Sequence, residues 1–308
     1  MERLGGSLAA GSNGGPAGHR HRLCGGAFLW VSVVSEEETE GGGAALIKVS
    51  GVAKAFGRLE VLHGVDWQVG SGEFWGLIGP NGSGKTTLLN LISGVEKPDA
   101  GEIALSGRPL SSYSRKELSR KVAVLQQDGL PAVAFTVREV VEMGRFAHQD
   151  WRGKEIGGAK AGERLIDGIM ERLDLKELEH RPLSALSGGQ RQRVALGKVM
   201  AQQPELVLLD EPTTYLDLRY QMQFMELVAE WQRDAGLTVV SVMHDLNLAA
   251  LFCSHLLVMS GGQIVAQGAP DGILSPELVE TVFGVQAHQV VHPDSDVPQL
   301  LLRRASLG

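Results

Sequence analysis

The sequence predicts an α/β fold in which buried parallel strands alternate with helices, edged by an antiparallel β portion and broken by a helical insertion. Three observations predict it. Short apolar runs that stop abruptly at polar or glycine turns, "EFWGLIG", "ELVLLD" and "LTVVSVMH", read as strands buried on both faces. Each is followed by a segment of helical periodicity, the order that builds a parallel sheet. Strict alternation, the sign of half-buried antiparallel strands, is concentrated in "ALIKVSGV", "RLEVLHGVDWQV" and "GEIALSG".

Taken in order, residues 1–44 differ from all that follows. "GGSLAAGSNGGPAG" and "GGGAA" are linker compositions without core-forming residues. They predict a flexible, disordered tail or an upstream start-site artefact. "LCGGAFLWVSVV" within it is too short for a membrane helix, and no small-residue cleavage site follows. A single domain is expected over residues 45–308. In it "GKTTLLNLISGV" reads as a helix ended by Gly94. Helices are expected at Thr136 to Arg145 and Ala161 to Leu173, in an insertion at about 128–185. "LLVMSGGQIVAQG" reads as a hairpin around Gly261 and Gly262, and "AHQVVHPDSDVPQLLLRR" as two strands around a turn.

Composition narrows the function. The chain has 308 residues, 43% of them hydrophobic, which permits a large core. A formal charge of −7 argues against a nucleic-acid partner. Cys24 and Cys253 are too far apart for a zinc pattern, and fit a reducing compartment. No apolar run reaches the roughly 18 residues of a membrane helix, so any membrane association is expected to run through another protein.

"GPNGSGKTT", Gly79, Pro80, Asn81, Gly82, Ser83, Gly84, Lys85, Thr86 and Thr87, is a P-loop between a strand and a helix. Its backbone N–H groups can wrap phosphates, Lys85 can reach the β- and γ-phosphates, and the Thr86 hydroxyl can ligate Mg²⁺. "LVLLDE" pushes Asp210 to a strand end where it can hold Mg²⁺, and Glu211 can then orient or deprotonate an attacking water. Gln127 ends the run "KVAVLQQ" and can ligate Mg²⁺ and contact that water, with Gln126 as a competitor. His244 ends "LTVVSVMH" and can contact a γ-phosphate. "LSGGQ", Leu186 to Gln190, sets a serine and two glycines before a helix, an anion-binding arrangement about a hundred residues after the first.

These motifs, in this order, resemble the nucleotide-binding subunit of ATP-binding cassette (ABC) transporters, over about Leu46 to the low 280s. The resemblance implies a P-loop NTPase core of ABC ATPase type, with ATP and Mg²⁺ as cofactors. It implies a head-to-tail dimer with a second copy, each ATP lying between one chain's P-loop and the other's Ser187, Gly188, Gly189 and Gln190. Asp217 resembles the aspartate linking the two sites, and Phe56 the aromatic that stacks on adenine. "DEPTTYLDL", with Tyr215, "HDLNLAALF" and "EMGRFAH" are similar to importer ATPases for ferric siderophores, haem and cobalamin. Ala147 and Gln126 depart from prolines usual there. The resemblance therefore implies a peripheral protein on the cytoplasmic face of the membrane, docked on integral permease subunits and served indirectly by a substrate-binding protein. An importer for another cargo is the alternative. A soluble cassette ATPase acting on DNA or ribosomes fits less well, because the P-loop and "LSGGQ" are only about a hundred residues apart and the chain has one cassette.

Overall fold

The computed structural model describes residues 45–127, 130, 134–150, 152–156 and 158–304. The expected tail at 1–44 and its apolar run lie outside them. The chain opens with two long strands, β1 (Ala45–Phe56) and β2 (Leu59–Gly70), paired antiparallel. β3 (Phe74–Ile78) is buried throughout and leads through the P-loop into helix α1 (Lys85–Ile92). Gly94, in the left-handed conformation, lies two residues beyond that helix, as expected. β4 (Ala100–Leu105) returns to pair with β1, and β5 (Arg108–Pro109) completes a four-stranded sheet ordered β2-β1-β4-β5.

After helix α2 (Arg115–Lys121) and strand β6 (Val122–Leu125), the chain leaves the sheet for helices α3 (Val137–Met143) and α4 (Ala159–Arg172). Thr136 caps α3 in a capping box with Glu139. The expected helix through Arg145 ends at Met143 and tightens into a 3-10 turn, Gly144–His148. That turn lies so close to Lys198, within the later helix over Gly188–Ala201, that a Cβ on Gly144 would stand 2.1 Å from its carbonyl oxygen. Helix α5 (Gly188–Ala201) then re-enters the core, followed by β7 (Leu206–Asp210), α6 (Leu218–Ala235), β8 (Thr238–Val242) and α7 (Leu246–Phe252).

β9 (His255–Ser260) and β10 (Gln263–Gly268) form the expected hairpin, with Ser260 opposite Gln263 across Gly261 and Gly262. Helices α8 (Pro270–Ile273) and α9 (Pro276–Phe283) precede a second hairpin of β11 (Ala287–Val291) and β12 (Pro298–Leu302). The main sheet has six strands ordered β10-β9-β3-β8-β7-β6, all parallel except the edge strand β10.

Burial explains why the apolar runs carry no alternation. Every residue of β3 and β8, and Leu206 to Leu209 of β7, is buried, because helices cover one face of the sheet and α1 with the antiparallel sheet covers the other. Each Val, Leu, Ile or Phe side chain among them contributes about 1.5–3 kcal/mol when fully buried. One core cluster joins the sheet to α3, α4, α5 and α6 through Val141, Ile169, Leu196 and Val228. The other lies between the antiparallel sheet and α1, through Ile47, Val65, Leu88 and Ile103.

A buried cation fixes the insertion to the core. Arg145 donates from Nη1 to the Ala201 carbonyl (2.8 Å) and to Gln203 Oε1 (2.7 Å), and from Nε to Glu155 Oε1 (3.0 Å). It therefore satisfies the carbonyl that ends α5 while neutralising a half-buried carboxylate. Arg145→Met strands Glu155 without its partner and is expected to lower the unfolding free energy by about 3 kcal/mol. Denaturant melts should show this loss, and a smaller one for Glu155→Gln, which keeps an acceptor facing Arg145.

Candidate functional site: four strand ends around a P-loop

Four parallel strands end in one row. Leu77 of β3 and Asp210 of β7 both stand opposite Val242 of β8, and Leu125 of β6 stands opposite Leu209 of β7. The residues just beyond these ends are therefore neighbours, though they come from positions 79–87, 127, 210–211 and 244. This is the edge of a parallel sheet at which ligands are ordinarily bound.

The loop after β3 turns on glycine. Gly84 has φ +99°, and a Cβ there would stand 2.6 Å from Leu62 Cδ2. Lys85 is only 5% exposed. Its Nζ donates to the carbonyls of Gly79 (2.8 Å) and Pro80 (3.0 Å). Burial pushes the ammonium below the usual lysine range, against the upward pull of Glu211 and Asp210. Ser83 is buried with its hydroxyl unpartnered, an orphan polar atom in the wall of the loop.

Thr86 Oγ1 donates to Asp210 Oδ1 at 3.2 Å, so a hydroxyl and a carboxylate stand side by side. Burial raises the Asp210 pKa. The Thr86 hydrogen bond opposes this, Glu211 adds to it, and Lys85 and His244 oppose it. Glu211 follows in the left-handed region at φ +49°, where a non-glycine residue costs about 1–3 kcal/mol. That turn breaks the strand's alternation and brings the second carboxylate to the same side as the first.

Side chains from separate elements hold Glu211 there. His244 Nε2 lies 2.5 Å from Oε1. Gln127 Nε2 donates to Oε2 at 2.7 Å, and Thr214 Oγ1 donates to the same oxygen at 3.2 Å. Gln127 is thus on the site, whereas Gln126, its competitor in the sequence, is exposed and makes no side-chain hydrogen bond among the described residues.

The other expected site residues make no hydrogen bond to this cluster among the described residues. Phe56, 48% exposed, ends β1 with the Lys54 ammonium 5.2 Å from its ring centre. Ser187 caps α5: its Oγ accepts from the Gln190 N–H, and Gln190 Oε1 accepts from the Ser187 N–H. No hydrogen bond among the described residues joins Ser187, Gly188, Gly189 or Gln190 to the P-loop. Asp217 caps α6, accepting from the Tyr220 N–H at 3.0 Å. Sequence reasoning missed Thr214 and Gln192. Thr214 had a readable signal, a hydroxyl three residues after a carboxylate in a turn sequence. Gln192 had none, for its partner is a backbone carbonyl, that of Pro212, 20 positions away (2.8 Å).

The raised pKa of Asp210 gives a test of sign. A folded-state pKa above the unfolded one means that the native chain holds this proton more tightly, so stability falls as pH rises through the window above the usual carboxylate range. At neutral pH the ionised group is a cost. Asp210→Asn retains an acceptor for Thr86 and removes the charge. It is expected to hold or raise the melting temperature at pH 7 and to flatten this part of the stability–pH curve. Melting temperatures of both proteins measured across the acid-to-neutral range check it.

Comparison with known proteins agrees with this geometry. Residues 62–214 match the family model described as ABC transporter. The hemin import ATP-binding protein HmuV of Rhizobium meliloti (strain 1021) is 38% identical over 270 residues, covering 85% of this chain and all of the relative. The ferric enterobactin transport ATP-binding protein FepC of Escherichia coli (strain K12) is 36% identical, covering 79% of this chain and 89% of the relative. The ABC transporter ATP-binding protein YvrA of Bacillus subtilis (strain 168) is 36% identical over 83% of this chain, which spans 58% of that relative's length. Among solved structures, cbiO1 from Clostridium perfringens, part of the ABC transporter complex cbiONQ, superposes with a TM-score of 0.67 at 27% identity, covering 77% of this chain and 93% of its own. An ATP-binding cassette of an ABC transporter in its ADP conformation gives 0.68 at 28%, covering 77% and 97%. A chain with this P-loop, these strand ends and these relatives belongs to the ABC transporter family, as an ATP-binding ATPase.

Proposed function

We propose that this chain is the ATP-hydrolysing subunit of an importer for an iron complex, a ferric siderophore first and haem or cobalamin next. In this reading two copies pair head to tail at the cytoplasmic face of the membrane, dock on integral permease subunits and act with a substrate-binding protein. The observation that carries the chemistry is the three-sided hold on Glu211 beside Lys85 and Asp210. The cargo rests on relatives named for import of hemin, enterobactin and hydroxamate complexes. Among the described residues no helix is long and apolar enough to cross a membrane, which accords with a peripheral subunit.

The residues fit the groups this reading requires. The loop N–H groups from Gly79 to Thr87, the Lys85 ammonium and the orphan Ser83 hydroxyl supply donors for triphosphate oxygens. Thr86, Asp210 and the Oε1 of Gln127, which has no partner among the described residues, are hard oxygen donors for Mg²⁺. No trio of His, Cys, Asp or Glu among the described residues could hold a metal alone, so the ion would share its coordination with phosphate oxygens and water. When bound, Mg²⁺ would offset charge on the β- and γ-phosphates. Glu211 takes the proton of the attacking water, with Gln127 and His244 fixing its direction. Phe56 stacks on adenine. Ser187 keeps its O–H free to donate while its oxygen caps α5, and with the N–H groups of Gly188 and Gly189 it faces the partner's γ-phosphate. Gln190 supports that turn, and Asp217 connects the two sites.

Sharing of the sites is tested by mixing two dead chains. Lys85→Ala and Ser187→Ala homodimers should each lose about a hundredfold or more in hydrolysis. In their mixed dimer one composite site holds both lesions and the other holds neither, so activity should return only on mixing. A mixture as inactive as its parents means that "LSGGQ" serves its own chain's ATP.

The cargo has a separate test. Deleting the gene in a strain without a redundant ATPase should spare growth in iron-replete medium and abolish it when the matching iron chelate is the sole iron source. Unchanged uptake of labelled ferric siderophore, haem and cobalamin would overturn the cargo and leave the ATPase standing.

A further inference from the structure

Helix α5 has two jobs on two of its sides. Its first turn carries Ser187, Gly188 and Gly189, which the reading above turns toward the partner's nucleotide. One turn along, Gln192 faces into its own chain, where Nε2 donates to the Pro212 carbonyl at 2.8 Å. Pro212 directly follows Glu211, whose backbone is in the strained left-handed conformation. The same helix turn and the Glu211 loop together line a cavity of about 170 Å³, formed by Gln127, Gly188, Gln192, Glu211, Thr214 and Tyr215. From the far side, Gln221 Nε2 donates to the carbonyls of Thr213 (3.2 Å) and Leu216 (3.0 Å). The loop that aims Glu211 is thus held by two glutamines, and one of them stands on the "LSGGQ" helix.

We propose that Gln192 is a positioning residue that ties Glu211 of its own site to the helix that senses ATP in the other. This rests on the shared-site reading. A strained residue keeps its geometry only while its surroundings over-determine it. Removing the Gln192 hydrogen bond frees the Pro212–Thr213 peptide, one residue beyond Glu211, so the carboxylate loses its aim at the attacking water while the P-loop, which binds the nucleotide, is untouched. Displacement of the α5 N-terminus by a γ-phosphate is transmitted over one helical turn, about 5 Å, to the loop that supplies the other site's base.

Two substitutions separate this from a packing role. Gln192→Leu removes the donor and the polarity, and Gln192→Glu keeps the shape but presents only acceptors to the Pro212 carbonyl. Both should lower kcat about tenfold while the KM for ATP stays within about twofold, with melting temperatures recorded for each. The decisive measurement uses the mixed dimer of Lys85→Ala and Ser187→Ala chains, whose one live site takes Glu211 from the Ser187→Ala chain and its serine from the Lys85→Ala chain. Gln192→Leu should slow that site at least several-fold more when carried by the chain supplying Glu211 than by the chain supplying Ser187. Equal slowing, or the reverse order, overturns the proposal, as does a rise in KM with kcat unchanged. A parental mixture with no activity fails the shared-site reading instead, and the kcat and KM of the homodimers then still decide whether Gln192 positions Glu211.

Discussion

The chemistry of this chain depends on the common register of four parallel strand ends. Strands in a sheet lie about 4.8 Å apart, so β6, β7, β8 and β3 bring their carboxyl ends within a span of a few side-chain lengths. Nothing else in the molecule could assemble Gln127, Asp210, Glu211, His244 and Lys85, which are scattered over more than 150 positions. Packing on both faces makes the register rigid: β3 and β8 have no exposed residue, and a slip of one position would cost several buried side chains at once. The antiparallel sheet and the helical insertion stand outside this row. One carries Phe56 at the end of β1, and the other ends at the "LSGGQ" helix.

A second constraint is electrostatic. Lys85 is buried and Asp210 partly so, and burial is the main reason each pKa has moved to favour the neutral form. Their mutual attraction offsets only part of this, since Glu211 beside Asp210 is a like charge. The cluster is therefore a liability for folding. It is tolerated because the surrounding core is large, and because a ligand that binds the folded chain adds stability by mass action. In the proposed reading, triphosphate oxygens would answer the buried ammonium and the orphan Ser83 hydroxyl, and a divalent cation would answer Asp210.

Much of this was legible in the sequence, and for identifiable reasons. β3, β7 and β8 are short apolar runs because burial on two faces leaves no place for a polar residue, and their ends are marked by glycine or charge. α3 was legible from its helical run after Thr136 and α5 from the serine and glycines before it, and the structure adds the capping boxes of Thr136 with Glu139 and of Ser187 with Gln190. What was hidden depends on backbone conformation or on distant contacts. The left-handed turn at Glu211 has no signature, because glutamate seldom adopts it. The end of α3 at Met143 follows from contact with Lys198, 55 positions away. The choice of Gln127 over Gln126 needed the Glu211 oxygen in place, since the two are chemically identical.

The two phosphate elements differ in a way that suits one to holding and the other to sensing. The P-loop is embedded: it follows a fully buried strand, its lysine is buried, and its turn is filled against Leu62. In "LSGGQ" Ser187 and Gly188 are exposed, and the serine and glutamine satisfy one another in a capping box rather than any distant group. A helix whose first turn is self-satisfied keeps its shape without a ligand, so under the shared-site proposal an arriving γ-phosphate would meet a preorganised set of N–H donors. That helix is anchored at its other end by Arg145 on the Ala201 carbonyl and in its middle by the core, Val194 and Leu196 among its contacts. Movement imposed at its first turn therefore cannot dissipate by bending the helix. It passes to whatever the first turns touch, and in this fold they touch the loop that carries Glu211.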